Sequence, residues 1–154
     1  MIFLERVCRK LNQNNVKYLL VGGYAVALHG AVRATIDIDI TLNWTKANLK
    51  KAEQALHSLR LTSILPITSE NVFNFRDEYI NNRNLIAWNF VNQNDPSEQI
   101  DLIINFDAKG KKSIKKKVGK TDIPILSIRD LIEMKKLAGR EQDIQDIKSL
   151  EMLL

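Results

Sequence analysis

Seven residues, Ile36-Asp37-Ile38-Asp39-Ile40-Thr41-Leu42, alternate apolar and polar without a fault, and no other feature constrains this chain as strongly. A period of two belongs to a β-strand, so Ile36, Ile38 and Ile40 leave one face while Asp37 and Asp39 leave the other. The two aspartate β-carbons then lie about 7 Å apart on one side of the strand. Aspartate is a poor strand former, and two like charges on one face repel. One reading is an edge strand with a wet acidic outer face. The other is a strand whose acids are compensated by a divalent cation, because ions such as Mg²⁺ take one or two carboxylates together with substrate phosphates.

A third acid bears on that choice. Ile100-Asp101-Leu102-Ile103-Ile104 is a strongly apolar strand containing one charge, and such a charge is rarely left unpaired. If this strand lies beside residues 36–42, three carboxylates surround one site. That arrangement serves two-metal phosphoryl chemistry, with Asp101 the candidate general base. Upstream, Lys17 to Val21 is a short apolar run that stops at Gly22-Gly23, ahead of a short helix from Tyr24 to His29. A strand–Gly-Gly–helix junction lets the backbone approach an anion closely, although any tight turn uses the same pair. Arg33 and Thr35 lie in the connection into Asp37; Arg33 is either a planar fork for phosphate or an exposed loop arginine.

The remaining pattern is mixed. A helix is expected over about 2–14, and Thr45 is a plausible N-cap for another running to about Leu59. The segment 61–84 carries no clear period. Strands are expected at 85–91 and 99–106, joined by a loop containing Asn94-Asp95-Pro96, with a last short strand at 121–126. The three prolines fall where loops or strand ends are expected. Ser127 with Asp130 caps a helix that breaks at Gly139, and a final helix covers about 140–152. This order favours an α+β sheet in a single domain spanning 1–154.

Lysine and arginine residues exceed acids by five, so anionic partners are favoured. Much of that excess sits in one stretch, Lys109 to Lys120, which reads either as a solvated loop or as a nucleic-acid-binding run that helps hold an RNA acceptor. No apolar run is long enough for a membrane span, the charged N-terminal segment does not resemble a secretion signal, and Cys8 is the single cysteine. A reducing cytoplasm and no membrane contact are expected.

At 100° per residue, the helix after Ser127 places Lys135 within an apolar stripe formed by Ile128, Leu131, Ile132 and Ala138. In the final helix Ile144 and Ile147 define the apolar face, with Arg140 and Asp143 on or beside it. Gln142 and Asp146 fall on the opposite, polar side. Lys135 and Arg140 are therefore expected to point inward and to need anionic partners. The partner is either Asp143, in a structural ion pair, or a bound triphosphate that Lys135 faces while Arg140 and Asp143 brace the site.

Val21-Gly22-Gly23, a spacer of thirteen residues, Asp37-Ile38-Asp39-Ile40 and then Ile100-Asp101-Leu102 resemble the signature of the DNA polymerase β-like nucleotidyltransferase superfamily. The string Gly22 to Gly30 with Arg33, Thr35, Asp37 and Asp39 resembles small bacterial proteins related to AbiEii-type toxins and lincosamide nucleotidyltransferases. Lys135-Lys136-Leu137-Ala138-Gly139-Arg140, with Asp143 and Asp146, is similar to the closing motif of that group. The resemblance implies a short mixed sheet flanked by helices, two of them C-terminal. It also implies transfer of a nucleoside monophosphate from a nucleoside triphosphate to a hydroxyl of RNA, tRNA, protein or a small molecule. Asp37, Asp39 and Asp101 would hold Mg²⁺, or Mn²⁺ in its place. Gly22, Gly23, Tyr24, Arg33, Thr35, Lys135 and Arg140 would contact nucleotide or phosphate, with Asp143 bracing them. Two departures stand out: Tyr24 occupies a place where many relatives carry serine, and the chain ends soon after the closing motif. The second reading is a non-catalytic nucleotide-binding or regulatory module with a partner protein, as in a toxin–antitoxin pair.

Overall fold

The computed structural model describes residues 1–34 and 37–154, so Thr35 and Ile36 of the readings above lie outside the described residues. The described elements run α1 (Phe3–Gln13), β1 (Tyr18–Val21), α2 (Gly22–Leu28), β2 (Ile38–Leu42), α3 (Lys46–Ser58) and β3 (Thr62–Ser63). They continue with α4 (Ser69–Asn74), α5 (Arg76–Arg83), β4 (Ala87–Asn92), β5 (Asp95–Asp107), β6 (Ser113–Val118), β7 (Thr121–Leu126), α6 (Ile128–Ala138) and α7 (Glu141–Glu151). The α+β expectation holds, and the strands form one mixed sheet in the order β3-β4-β5-β2-β1-β7-β6.

The centre of the sheet is built from the runs with the strongest apolar content. β1 is buried along its whole length and pairs antiparallel with β2 and parallel with β7. β2 pairs parallel with β5, and β5 pairs antiparallel with β4. Ile38, Ile40 and Leu42 of β2, Ile100 and Leu102 of β5 and Phe90 of β4 are all essentially solvent-free. Leu4, Val7, Cys8 and Leu11 recur on one stripe of α1 and join the same core. Thr45 caps α3 by accepting from the Asn48 amide, and Gly139 ends α6 at φ 66, the left-handed geometry that a helix C-terminus favours.

Several expectations need correction. The lysine-rich stretch is not simply a loop: residues 113–118 form β6, the outermost strand, paired antiparallel with β7. Lysine-rich edges are a common device against edge-to-edge association, and here that device conceals a strand behind a charge run. The β4–β5 turn is tighter than expected, because Asn92 pairs with Asp95. Val91 pairs with Gln99, so residues 96–98 bulge from the ladder, and Pro96, which has no N–H to donate, sits in that bulge. Pro124 lies inside β7 rather than at a strand end, and the ladder between β1 and β7 registers only at Leu20–Ile125. The unreadable segment holds β3, α4 and α5. Thr68 and Asn71 exchange hydrogen bonds to cap α4, whereas α5 contains no buried residue.

Candidate active site

Register brings the acids together. Val21 pairs with Asp39, Asp39 with Asp101, and Asp101 with Asn89, so four neighbouring strands place these residues in one row. Residues in register on adjacent strands present their side chains to the same side of the sheet. Asp39 and Asp101 are therefore direct neighbours across β2 and β5. Asp37 is exposed and precedes β2 by one residue. A crevice of about 70 Å³ is lined by Asp37, Ile38, Asn89, Gln99, Ile100 and Asp101.

The glycine turn is packed against this row. Gly22 has φ +69, and a Cβ built on it would stand 2.1 Å from Asp39 Oδ2. No side chain fits there, and the backbone angle is one that L-residues rarely adopt. Gly22 and Gly23 are the first residues of α2 rather than a linker before it, and Gly23 is buried. Tyr24 packs partly buried against the core. Gly22→Ala is expected to displace the Asp39 carboxylate, lower the thermal midpoint by several degrees (about 1–3 kcal/mol) and sharply reduce nucleotide transfer. Unchanged melting and unchanged activity would show that this contact has no role.

Electrostatics marks Asp39 as the strained member. Burial, followed by the charges of Asp101 and Asp37, raises its pKa from 3.8 to about 6, while Lys135 and Arg140 pull it down. Among the described residues no three acidic, histidine or cysteine side chains converge tightly enough to cage a metal ion on their own. The donor set nevertheless fits Mg²⁺, which typically takes only one or two carboxylates and completes its shell with water and substrate phosphate. A divalent charge beside Asp39 would also favour its ionised form against the burial and repulsion that raise its pKa.

Asn89 donates from Nδ2 to Asp101 Oδ1 at 2.7 Å, fixing that carboxylate, while its own Oδ1 is buried without a partner. Sequence reading missed Asn89, and only the pairing register reveals it.

The C-terminal helices form a second polar cluster. Lys135 is buried, as its stripe position implies, with Nζ 2.9 Å from Asp146 Oδ2 and 3.5 Å from Asp143 Oδ1. Asp146 also accepts from Arg33 Nε at 3.1 Å and from Gln142 Nε2 at 3.1 Å. Asp143 accepts from the Arg140 amide and from its guanidinium, at 2.8 Å for Nε. Burial pushes the Asp143 carboxyl up, but the hydrogen bonds from Arg140 and the charges of Arg140 and Lys135 outweigh it and hold the group below its ordinary value.

The face assigned to α7 was therefore rotated. Asp143, Asp146 and Leu150 are its buried residues, while Ile144 is half exposed. Asp143 lies inward as expected, but an apolar-only stripe misses Asp146, which also turns inward to meet the buried lysine. Arg140, expected to point inward, keeps its side chain 76% exposed while gripping Asp143. Arg33 is not the exposed loop arginine of one reading, because its side chain is largely covered and its Nε is engaged with Asp146. His29 is structural, its Nε2 2.8 Å from the Leu126 carbonyl oxygen.

This architecture is similar to that of known nucleotidyltransferases. The lincosamide antibiotic adenylyltransferase LnuA, solved with lincomycin bound, matches at 16% identity with a TM-score of 0.64, covering 99% of this chain and 96% of that one. ANT(2'')-Ia in complex with adenylyl-2''-tobramycin matches at 11% identity and a TM-score of 0.58, covering 96% and 84%. A putative nucleotidyltransferase from Thermotoga maritima matches at 13% identity and a TM-score of 0.61, covering 94% and 88%. No curated protein matches the sequence. The likeness to the solved structures concerns the fold, and the sequence carries the assignment further. Residues 3–153, which include the glycine turn, the acids of β2 and β5 and both closing helices, match the family described as nucleotidyltransferase of unknown function (DUF6036), and the chain belongs to that family.

Proposed function

We propose that this protein is a Mg²⁺-dependent nucleotidyltransferase that moves a nucleoside monophosphate from a nucleoside triphosphate to an acceptor hydroxyl, using Asp37, Asp39 and Asp101. One observation carries the reading: Asp39 and Asp101 stand in register on adjacent parallel strands, with Gly22 pressed against Asp39. In the reaction the acceptor oxygen forms a bond to the α-phosphorus. The bond from that phosphorus to the oxygen bridging toward the β-phosphorus breaks, and pyrophosphate leaves with the electron pair. The hydroxyl proton passes to a carboxylate oxygen of Asp101, whose other oxygen is held by Asn89. Asp37, Asp39 and Asp101 would hold Mg²⁺, which when bound supplies charge neutralisation at the phosphates and orients the leaving group. Gly22, lacking a side chain, lets the Asp39 carboxylate seat directly against the turn. Lys135 and Arg140, whose charges reach Asp39, keep the surroundings of the acids cationic.

LnuA holds lincomycin and ANT(2'')-Ia holds adenylyl-tobramycin in their structures. By analogy the proposed acceptor class is a small hydroxyl-bearing molecule, with an RNA hydroxyl as the second candidate. Each of the four labelled nucleoside triphosphates is to be incubated with the protein, Mg²⁺ and either RNA or a small-molecule extract. The expected result is a labelled product from at least one nucleotide, lost with a chelator and reduced about 10²–10⁴-fold by Asp101→Asn. Absence of product from all four, together with nucleotide binding that calorimetry finds tight and indifferent to Mg²⁺, would replace this reading by the regulatory module.

A further inference from the structure

A much larger cavity lies away from the acids. It measures about 590 Å³, and its walls include His29, Lys111, Lys112, Ser127 and Arg129. The N-terminus of the eleven-residue helix α6 opens into it, capped by Ser127. Asp130 is the carboxylate on the wall, and it is occupied by accepting from Ser127 Oγ at 3.1 Å. The cavity mouth lies at the same end of the sheet as the acids, because Ser113 pairs with Leu126, Ile125 with Leu20, and Val21 with Asp39. From β2 to β6 is three strand spacings, about 14 Å.

The charge distribution is concentrated in the same place. Residues 108–121 hold seven lysines and no acid, whereas the whole chain is only +5, so everything else is net acidic by two. Lys109, Lys111, Lys112, Lys115, Lys117 and Lys120 are exposed. Among the described residues the ion pair engaging this set is Lys117–Asp122 at 3.3 Å. Protection of a sheet edge accounts for the three lysines within β6. It does not account for Lys109, Lys111, Lys112 and Lys120, which flank the strand and do not lie on it.

We propose that this lysine strip, with the basic cavity at its end, is a docking site for the phosphate backbone of a nucleic-acid strand running toward the acids. The cavity receives a nucleotide unit of the strand, its phosphate facing Lys111, Lys112, Arg129 and the α6 N-terminus, and Lys115 and Lys117 take further phosphates. A lipid surface fits less well, because Ile114 is the one large exposed apolar side chain along the strip and offers no face to insert. The role of the strand as acceptor rests on the transferase reading; its binding does not.

Fluorescence anisotropy without nucleotide tests this, using the full chain with a labelled single-stranded RNA and the DNA of the same sequence. The expected dissociation constant lies near 10 µM at low salt, and log affinity falls against log salt with a slope of about −3, as for roughly four phosphates on a single strand. Lys111→Gln/Lys112→Gln and Lys115→Gln/Lys117→Gln should each weaken binding at least about fivefold and flatten the slope by about 1.4, with unchanged thermal midpoints. Tighter binding of RNA than DNA identifies RNA as the occupant, and equal binding identifies the shared backbone; both support the site. Binding that is absent, insensitive to salt or unaffected by both double substitutions overturns it, as does preferential partition onto anionic lipid vesicles. Wild-type protein that transfers nucleotide yet binds neither strand would sink the docking site alone. Strand binding by Asp39→Asn protein that transfers nothing would show the two properties to be separable.

Discussion

Asp39→Asn is expected to make the protein more stable near neutral pH while abolishing nucleotide transfer. The folded-state pKa of Asp39 is raised from 3.8 to about 6, with burial the largest cause and the charges of Asp101 and Asp37 following. A carboxyl whose pKa is higher when folded binds its proton more tightly in the folded state. Its contribution to stability is fully present below about pH 3.8 and is lost as pH rises through 6. Wild-type stability should therefore fall across that window through this group, by at most about 3 kcal/mol for a two-unit shift. Asn is the same shape, carries no charge and titrates nowhere, so the variant should lack that decline. At pH 7.5 its thermal midpoint should exceed wild type by about 3–8 °C, given 2–4 °C per kcal/mol for a chain of this size. Saturating Mg²⁺ with nucleotide should narrow the gap from the wild-type side, since a ligand bound only by the folded state stabilises it. Melting curves from pH 4 to 8, with and without Mg²⁺ and nucleotide, check each part. A variant no more stable than wild type at pH 7.5 would show that neither burial nor repulsion of the Asp39 charge costs the fold stability.

That repulsion was legible in the sequence, and so was much of the frame around it. β2 and β5 announce themselves because alternation and apolar runs reflect burial directly, whereas the charge within Ile100–Ile104 shows only that Asp101 needs a partner; that β5 lies beside β2 and sets Asp101 opposite Asp39 comes from the register. Other parts resisted for definite reasons. α5 buries nothing and α4 spans six residues, so neither leaves a period to read. β6 carries three lysines on an edge, where hydrophobic pattern is weakest. Asn89 has no signature of its own, because an amide in a strand becomes meaningful only when the register sets it opposite Asp101. Asp146 was assigned to solvent by a helical wheel that weighed hydrophobicity alone. The cation it serves lies eleven residues earlier on a different helix, and no local rule connects the two.

Lys135→Met is expected to be the most destabilising single change in the closing helices. The ammonium is enclosed by Asp143 and Asp146, with side-chain exposures of 8%, 1% and 4% respectively. A methionine side chain fills comparable space but leaves two buried carboxylates with less compensation. Breaking one side of a buried ionic cluster typically costs about 3–5 kcal/mol, which here corresponds to a fall in thermal midpoint of about 6–20 °C. The penalty arises from the stranded acids more than from the lost attraction, so removing an acid as well should recover part of it. Lys135→Met/Asp146→Asn should regain at least about a third of the loss, because a neutral amide has no buried charge to desolvate. Arg33 reaches Asp146 from the segment that leads into the acid strand, so the cluster also ties α7 to the approach to the candidate site. The charge of Lys135 lowers the Asp39 pKa, and removing it should push that carboxyl further up and extend the pH window of instability above 6. Equal destabilisation in the single and double variants would mean that packing around the lysine, rather than the stranded acids, sets the cost. A loss under about 1 kcal/mol for the single change would mean that the cluster is solvated in solution.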